Sequence, residues 1–267
     1  MTKIGVQLWT VRDQLTAVGP LFEQLAAVGV EAVEPFGLGD PDATAEARIG
    51  RARELRQAAD QAGLAILSTH TRMPSSTDTA VFVDEMHELG VAYAVLAVPE
   101  HLAGFKREML LSADTIREFA HELNAVADAV ESEGLQIGYH NHYWEWNELE
   151  GGTLAYDLLW SSFGPKIVTE LDVLWATFAG QDAVEIAQRL KDRIRFLHVG
   201  DASPITNVNF QLPSGAGDSP LVPVFEVTGP VEAVFIEATI PPPGSTQLDL
   251  IRHSVEWLRP TLAKFDR

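Results

Sequence analysis

The sequence predicts an α/β protein folded as one (β/α)8 TIM barrel spanning residues 1–267. Three observations carry that prediction. Eight apolar, β-rich runs alternate with eight helix-like runs. Glycines fall just past several of the helix-like runs, where helices commonly end. The length of 267 residues lies close to the roughly 250 of such barrels.

The elements follow in order. Lys3–Leu8 opens the chain as a strand, and Leu21–Val28 is a short helix. Ala32–Glu34 precedes the long Asp42–Ala62, in which the strong helix formers Ala and Arg abound. Leu64–Ser68 leads to Thr79–Leu89, and Tyr93–Val98 leads to Ser112–Glu133, with Ser112 placed to cap that helix. Leu135–Tyr139 and Thr153–Phe163 form the fifth unit, Ile167–Leu171 and Asp182–Lys191 the sixth. Ile194–His198 is followed by Leu221–Thr228, the helix with the thinnest pattern, and Ala233–Glu237 by Gln247–Lys264. Gly29, Gly63, Gly90 and Gly134 punctuate the helix ends. The strand runs are apolar on both faces, as in a buried parallel sheet. A doubly wound sheet would bring a glycine-rich phosphate turn after its first strand. Here that strand is followed by TVRDQLTAVG, which is no such turn. No linker or compositional break divides the chain. The longest irregular stretch, Asp201–Pro220, is of a length that compact domains usually reserve for function.

Charge narrows the function classes. Nineteen Lys and Arg face 38 Asp and Glu, a net charge of −19. That balance excludes an ordinary nucleic-acid binder, which needs a basic footprint to displace counterions. There is no cysteine, hence no disulfide framework and no thiolate zinc site. No apolar run reaches the ~18 residues needed to span a bilayer, and no signal-peptide pattern opens the chain. A cytoplasmic protein is expected.

In such a barrel the active site lies at the C-terminal ends of the strands. The fifth strand runs into GYHNHYWEW, where His140 and His142 point the same way because side chains alternate with period 2. The sixth ends in Glu170 and Asp172, the seventh in His198, the eighth in Glu237. Each run is apolar until these last residues, and a buried imidazole or carboxylate is costly unless it is paired or metal-bound. Taken singly, His198 reads as a core histidine, Asp172 as a helix N-cap, and Glu237 as the partner of an arginine. Metal-type residues at four successive strand ends favour a shared ion. The mixed set His140, Asp172, His198 and Glu237 suits Mn²⁺, Fe²⁺, Co²⁺ or Zn²⁺. Glu170, two residues deeper than Asp172 on the same face, fits either a ligand or a supporting partner. The letters HNH do not indicate an HNH nuclease, because the ββα setting is absent and the charge is wrong for DNA.

IGVQLWTVRD, YHNHYWEW, ELDVLW, FLHVGDA and FIEAT together resemble the sugar phosphate isomerase/epimerase superfamily, the xylose isomerase-like TIM barrels. That group also holds AP-endonuclease-like enzymes, ketose 3-epimerases, inosose dehydratases and related lyases. The matching motifs run from residue 4 to residue 239. The resemblance implies one divalent metal held by His140, Asp172, His198 and Glu237, with His142 replacing His140 if the register differs by two. Manganese is the expected ion, with Zn²⁺, Co²⁺, Fe²⁺ and Mg²⁺ as alternatives.

Two departures bear on the reaction. The ketose epimerases carry a glutamate on the fifth strand and move a proton between two opposed glutamates; here His140 takes that place. Glu145 is then the candidate for the missing acid or base beside Glu237. Relatives often carry a lysine in the motif HVKD, where this chain has Gly200, so a cationic contact is missing unless Arg12, Arg72 or another group replaces it.

The resemblance further implies His70 near the substrate, with a loop histidine as the plain alternative, and Glu34 as a pocket carboxylate. Gln7, if inward, is a candidate for a substrate hydroxyl, or is a buried amide satisfied by backbone. Of Trp9, Trp144, Trp146 and Trp175, at least one is expected to pack on a sugar ring. Asp201 is expected to support the metal site, while His87, His101, His121 and His253 read as surface residues. The expected function is proton abstraction beside a metal-chelated carbonyl of a sugar, polyol or keto-sugar, giving isomerisation or epimerisation. A lyase of the inosose dehydratase or 3-keto-glycoside type is the rival, and a non-catalytic sugar-binding barrel the alternative from another class. The expected partner is a small carbohydrate, non-phosphorylated given the acidic charge, with no nucleic acid or membrane; a homo-oligomer is allowed.

Overall fold

The computed structural model describes residues 1–206 and 208–265. Among these residues nine strands form one parallel sheet: β1 (Lys3–Gln7), β2 (Ala32–Glu34), β3 (Ala65–Ile66), β4 (Ser68–His70), β5 (Tyr93–Leu96), β6 (Gln136–His140), β7 (Val168–Asp172), β8 (Ile194–His198) and β9 (Ala233–Ile236). The third expected strand is broken at Leu67. Its first half pairs with β2 through Ala32 and Ala65, its second with β5 through Ser68 and Tyr93. The two halves sit at opposite ends of the strand order, and their continuity at Leu67 nearly closes the sheet into a barrel.

Strand alternation layers the interior. At the N-terminal end Ala32, Phe196, Ala233 and Phe235 form a small buried cluster. Phe196 and Phe235 are fully buried and lie 5.6 Å apart, and burial of each ring contributes about 1.5–3 kcal/mol. A Cβ on Gly5 would lie 2.4 Å from the Phe235 ring, so only glycine leaves room for it. Two residues further along each strand the inward position turns polar: Gln7, Glu34, His198 and Glu237 follow Gly5, Ala32, Phe196 and Phe235. The outward positions, such as Val6, Val33, Tyr139, Leu171 and Leu197, join the large core beneath the helices.

The helices are α1 (Val18–Ala27), α2 (Ala45–Ala62), α3 (Ala80–Leu89), α4 (Ala113–Val130), α5 (Ala155–Ser162), α6 (Val173–Phe178), α7 (Ala183–Leu190), α8 (Leu221–Thr228) and α9 (Gln247–Leu262). Thr44 caps α2, and Gly63 ends it with φ of 71°. Thr246 and Asp249 cap α9 reciprocally. Ser112 stands at the start of α4 but its side chain makes no capping bond, so its expected role is corrected. The sequence pattern gave no sign of α6, which follows β7 directly. Among the described residues no helix is long and apolar enough to cross a membrane.

Candidate active site

The polar layer at the C-terminal end of the barrel has two tiers. The inner tier begins with Gln7, whose amide donates to Glu34 Oε2 at 2.8 Å and accepts from the Trp9 backbone at 3.0 Å. Glu34 is wholly buried and also accepts from Ser68 Oγ at 2.5 Å and from His198 Nε2 at 2.9 Å. Glu170 sits among three imidazoles. Its Oε2 lies 2.5 Å from His70 Nε2, 3.1 Å from His140 Nδ1 and 3.2 Å from His198 Nε2. Burial alone would raise the Glu170 pKa, but the charges of His198 and His70 outweigh it and hold the carboxylate ionised. Burial likewise pulls His70 down, and Glu34 and Glu170 more than reverse it.

The outer tier is His140, Asp172, His198 and Glu237, each offering one atom within 4.8 Å of the others. A second, overlapping group of His70, His140, Glu170 and His198 meets the same distance. The outer set reaches the cavity through Glu237. His198 Nδ1 lies 2.8 Å from Glu237 Oε2 and 4.0 Å from Asp172 Oδ2. Asp172 divides its oxygens: Oδ1 accepts from the Trp175 backbone at 2.6 Å and so caps α6. The N-cap and the cluster member are the same residue. Asn141 holds the segment by bonding the Asp172 backbone in both directions, at 3.0 and 3.1 Å.

These residues fit a divalent cation. Both ring nitrogens of His140, wholly buried, lack a hydrogen-bond partner of ordinary geometry. Such atoms are rare, because each costs about 1–3 kcal/mol. Burial, then the charge of His198, pushes the His140 pKa down to about 4, so the ring is neutral at pH 7 with a lone pair to give. Glu34 takes the Nε2 side of His198, which leaves Nδ1 towards Asp172 and Glu237, the way carboxylates orient metal-binding histidines.

Beside this set opens a cavity of about 400 Å³. Glu237, His70 and His142 line its inner part, Trp9, Phe36 and Val98 its apolar wall. His101 and Arg107 line it as well. Sequence reasoning placed His101 on the surface and did not consider Arg107. Both lie in the loop after β5, where no periodicity marks direction. His87, His121 and His253 are exposed, as expected.

Several expected residues stand elsewhere. Glu145 is buried, accepting from Tyr139 Oη at 3.0 Å and from the His142 backbone at 3.0 and 3.1 Å. Tyr139 points outward among Phe119, Trp160 and Phe163, so Glu145 is not brought to the cavity and its expected catalytic role is corrected. Burial raises its pKa to about 7 against those hydrogen bonds. Gln7 and Glu34 are not among the cavity-lining residues: Gln7 bonds Glu34 and the Trp9 backbone, and Glu34 also bonds Ser68 and His198. Trp144 stacks on His142 at 4.1 Å and Trp175 lies 6.2 Å from it, so both support His142 and do not line the cavity. Trp9 does line it, 42% exposed. Trp146 stacks on Tyr156 at 4.4 Å in the helix layer.

Asp201 organises its own loop, accepting from the backbones of Ala202, Gly215, Gly217 and Ser219 at 2.9–3.0 Å. It therefore shapes the long loop, which corrects its expected support of the metal set. Gly200 is packed shut: a Cβ there would lie 2.9 Å from Leu174 Cδ2 and 3.0 Å from the Glu237 carbonyl oxygen. A lysine cannot stand in that place without moving the backbone of Glu237.

The sequence profile of the xylose isomerase-like TIM barrels matches residues 22–261, and the chain belongs to that family. No curated protein matches the sequence. Among solved structures, a sugar phosphate isomerase/epimerase from Parabacteroides distasonis is similar over 100% of this chain and 96% of its own, at 23% identity and a TM-score of 0.76. The IOLI protein with a bound zinc atom is similar over 99% of both chains, at 15% identity and a TM-score of 0.69. A probable 3-DHS dehydratase, AsbF from Bacillus anthracis, covers 97% of this chain and 99% of its own, at 13% identity and a TM-score of 0.68. At these identities the likeness is one of fold.

Proposed function

We propose that the protein is a divalent-metal-dependent isomerase or epimerase acting on a sugar, polyol or keto-sugar. The observation that carries the reading is the convergence of His140, Asp172, His198 and Glu237 on one point beside the cavity, with neither nitrogen of His140 in a well-formed hydrogen bond. Manganese is the first ion to test, and the zinc in a similar structure makes zinc the second. A cation there would polarise a substrate carbonyl and offset the charge growing on its oxygen.

The chain's own residues do the rest. Glu237 faces the cavity, and despite burial the hydrogen bond from His198 holds its pKa down to about 2, so it is ionised. It removes the proton from the carbon next to the carbonyl. His70 lies in the same lining, held charged by Glu34 and Glu170, and stabilises the oxygen or returns a proton. Delivery to the neighbouring carbon gives an isomer, and delivery to the opposite face an epimer.

One observation favours a second reading. With Glu145 turned away, Glu237 is the one carboxylate among the cavity-lining residues, whereas proton transfer between opposed glutamates needs two. A lyase needs one base and an acid for the leaving oxygen, roles that Glu237 and His70 fill. Turnover of candidate ketoses and keto-sugars in deuterium oxide tests the shared step. Isomerisation should leave product mass unchanged apart from deuterium gained at carbon, and the lyase should lose water or an alcohol. Candidate substrates that neither exchange the hydrogen next to the carbonyl with solvent nor lose water or an alcohol would falsify both.

A further inference from the structure

The chain carries a net charge of −19, yet an arginine lines the cavity, and two more contact Trp9 and Glu100 beside it. Arg12 lies over the Trp9 ring at 4.8 Å and donates to the Trp9 carbonyl at 2.9 Å. Arg72 donates to the Glu100 carbonyl at 3.2 Å. Arg107 is the one of the three that lines the cavity. Its guanidinium is held on two sides. Trp144 supports its face at 4.4 Å, and Glu100 takes its Nε edge at 3.1 Å and its backbone N–H at 3.3 Å. Nη1 and Nη2 carry no bond to any described residue. The stack continues inward from Trp144 to His142, which stands edge-on to His140 at 4.8 Å. A guanidinium fixed by its face and one edge presents its free end as a pre-set fork.

We propose that Arg107 is a specificity residue that binds a substrate carboxylate, so that the preferred substrates of this cavity are sugar acids or their keto derivatives. The assignment rests on the reading of the cavity as a substrate site. The planar, singly charged carboxylate matches the two parallel N–H groups of the Arg107 end. A phosphate dianion would meet more repulsion from a chain of this net charge. The closed position at Gly200 also leaves Arg107 as the one Arg or Lys among the cavity-lining residues.

The test compares binding of D-glucuronate, D-glucose and D-glucose 6-phosphate to manganese-loaded protein by calorimetry, in wild type, Arg107→Gln and Arg107→Lys. Glucuronate should bind at least about tenfold tighter than glucose, as a charge-assisted fork allows. That ratio should fall towards one in Arg107→Gln and stay between the two in Arg107→Lys, which keeps the charge and loses the fork. Arg107 is 43% exposed on a surface turn, so the variants should fold. A manganese titration of each reports separately on the metal reading. A ratio near one in wild type, a ratio that survives in Arg107→Gln, or tighter binding of the phosphate through Arg107 would each overturn the assignment.

Discussion

The two halves of the barrel mouth both end their strands in buried polar groups, and they use them differently. On the side of β1 to β4, Gln7, Glu34 and Ser68 satisfy one another and lock His198 from behind. On the side of β6 to β9, neither nitrogen of His140 makes a well-formed hydrogen bond, although Glu170 lies 3.1 Å from Nδ1, and Glu237 opens to the cavity. Residue type does not separate a site from its support, since each half holds glutamate and histidine. Completeness of hydrogen bonding separates His140 from Gln7 and Glu34, whereas His198 is bonded on both sides and joins the set through its contact with Glu237. An unsaturated buried imidazole at this depth is where a ligand belongs.

The sharpest way to break that contrast is to remove a charge from the unsaturated half. Asp172→Asn keeps an oxygen to cap α6 but loses a charged donor to the cation. Manganese affinity should fall by more than about a hundredfold, beyond the usual cost of losing a supporting partner. The circular dichroism spectrum should be unchanged. Tight binding retained by Asp172→Asn would remove Asp172 from the set.

An intermediate effect is expected from the saturated half. Glu34→Gln keeps the volume and an acceptor while losing the charge behind His198. Metal affinity should fall about ten- to hundredfold, with little change in the substrate range. A loss as large as that of Asp172→Asn would place Glu34 among the ligands and erase the distinction between the halves.

Glu145 should affect stability and not chemistry. Burial raises its pKa from 4.5 to about 7, so the folded state holds this proton more tightly than the unfolded chain. Stability from this group is therefore greatest below about pH 4.5 and falls as pH rises through 7, by on the order of 3 kcal/mol. Denaturant melts of wild type and Glu145→Gln should differ by that amount in their total change in stability across the window, with proton exchange per folded molecule preserved. Equal changes, or loss of exchange in the folded variant, contradict this placement.

The same contrast explains what was legible in the sequence. Period-2 alternation on apolar strands exposed the inward faces, so His140, Asp172, His198 and Glu237 could be read from strand ends alone. It also put Glu170 on the face of Asp172, but whether it braces or binds depends on three histidines from other strands. Glu145 was misread because alternation stops with β6. The turn Trp144–Trp146 swings its carboxylate back to the His142 backbone. The break at Leu67 follows from closure of the ring, which no local pattern records. Arg107 and His101 lie in a loop without periodicity, and the one available signal was a cation in an acidic chain. Ser112 shows the same limit at small scale: the residue type suited a cap, and the local geometry did not use it.

The central claim is that His140, a neutral imidazole without a well-formed hydrogen bond, holds a metal, while His142 on its Trp144 support faces the substrate. Calorimetric titration of manganese into chelator-stripped protein tests it, comparing wild type with His140→Ala and His142→Ala. The account predicts tight binding to wild type and to His142→Ala, and its loss in His140→Ala. No binding to wild type, or loss in His142→Ala with binding kept in His140→Ala, would contradict it.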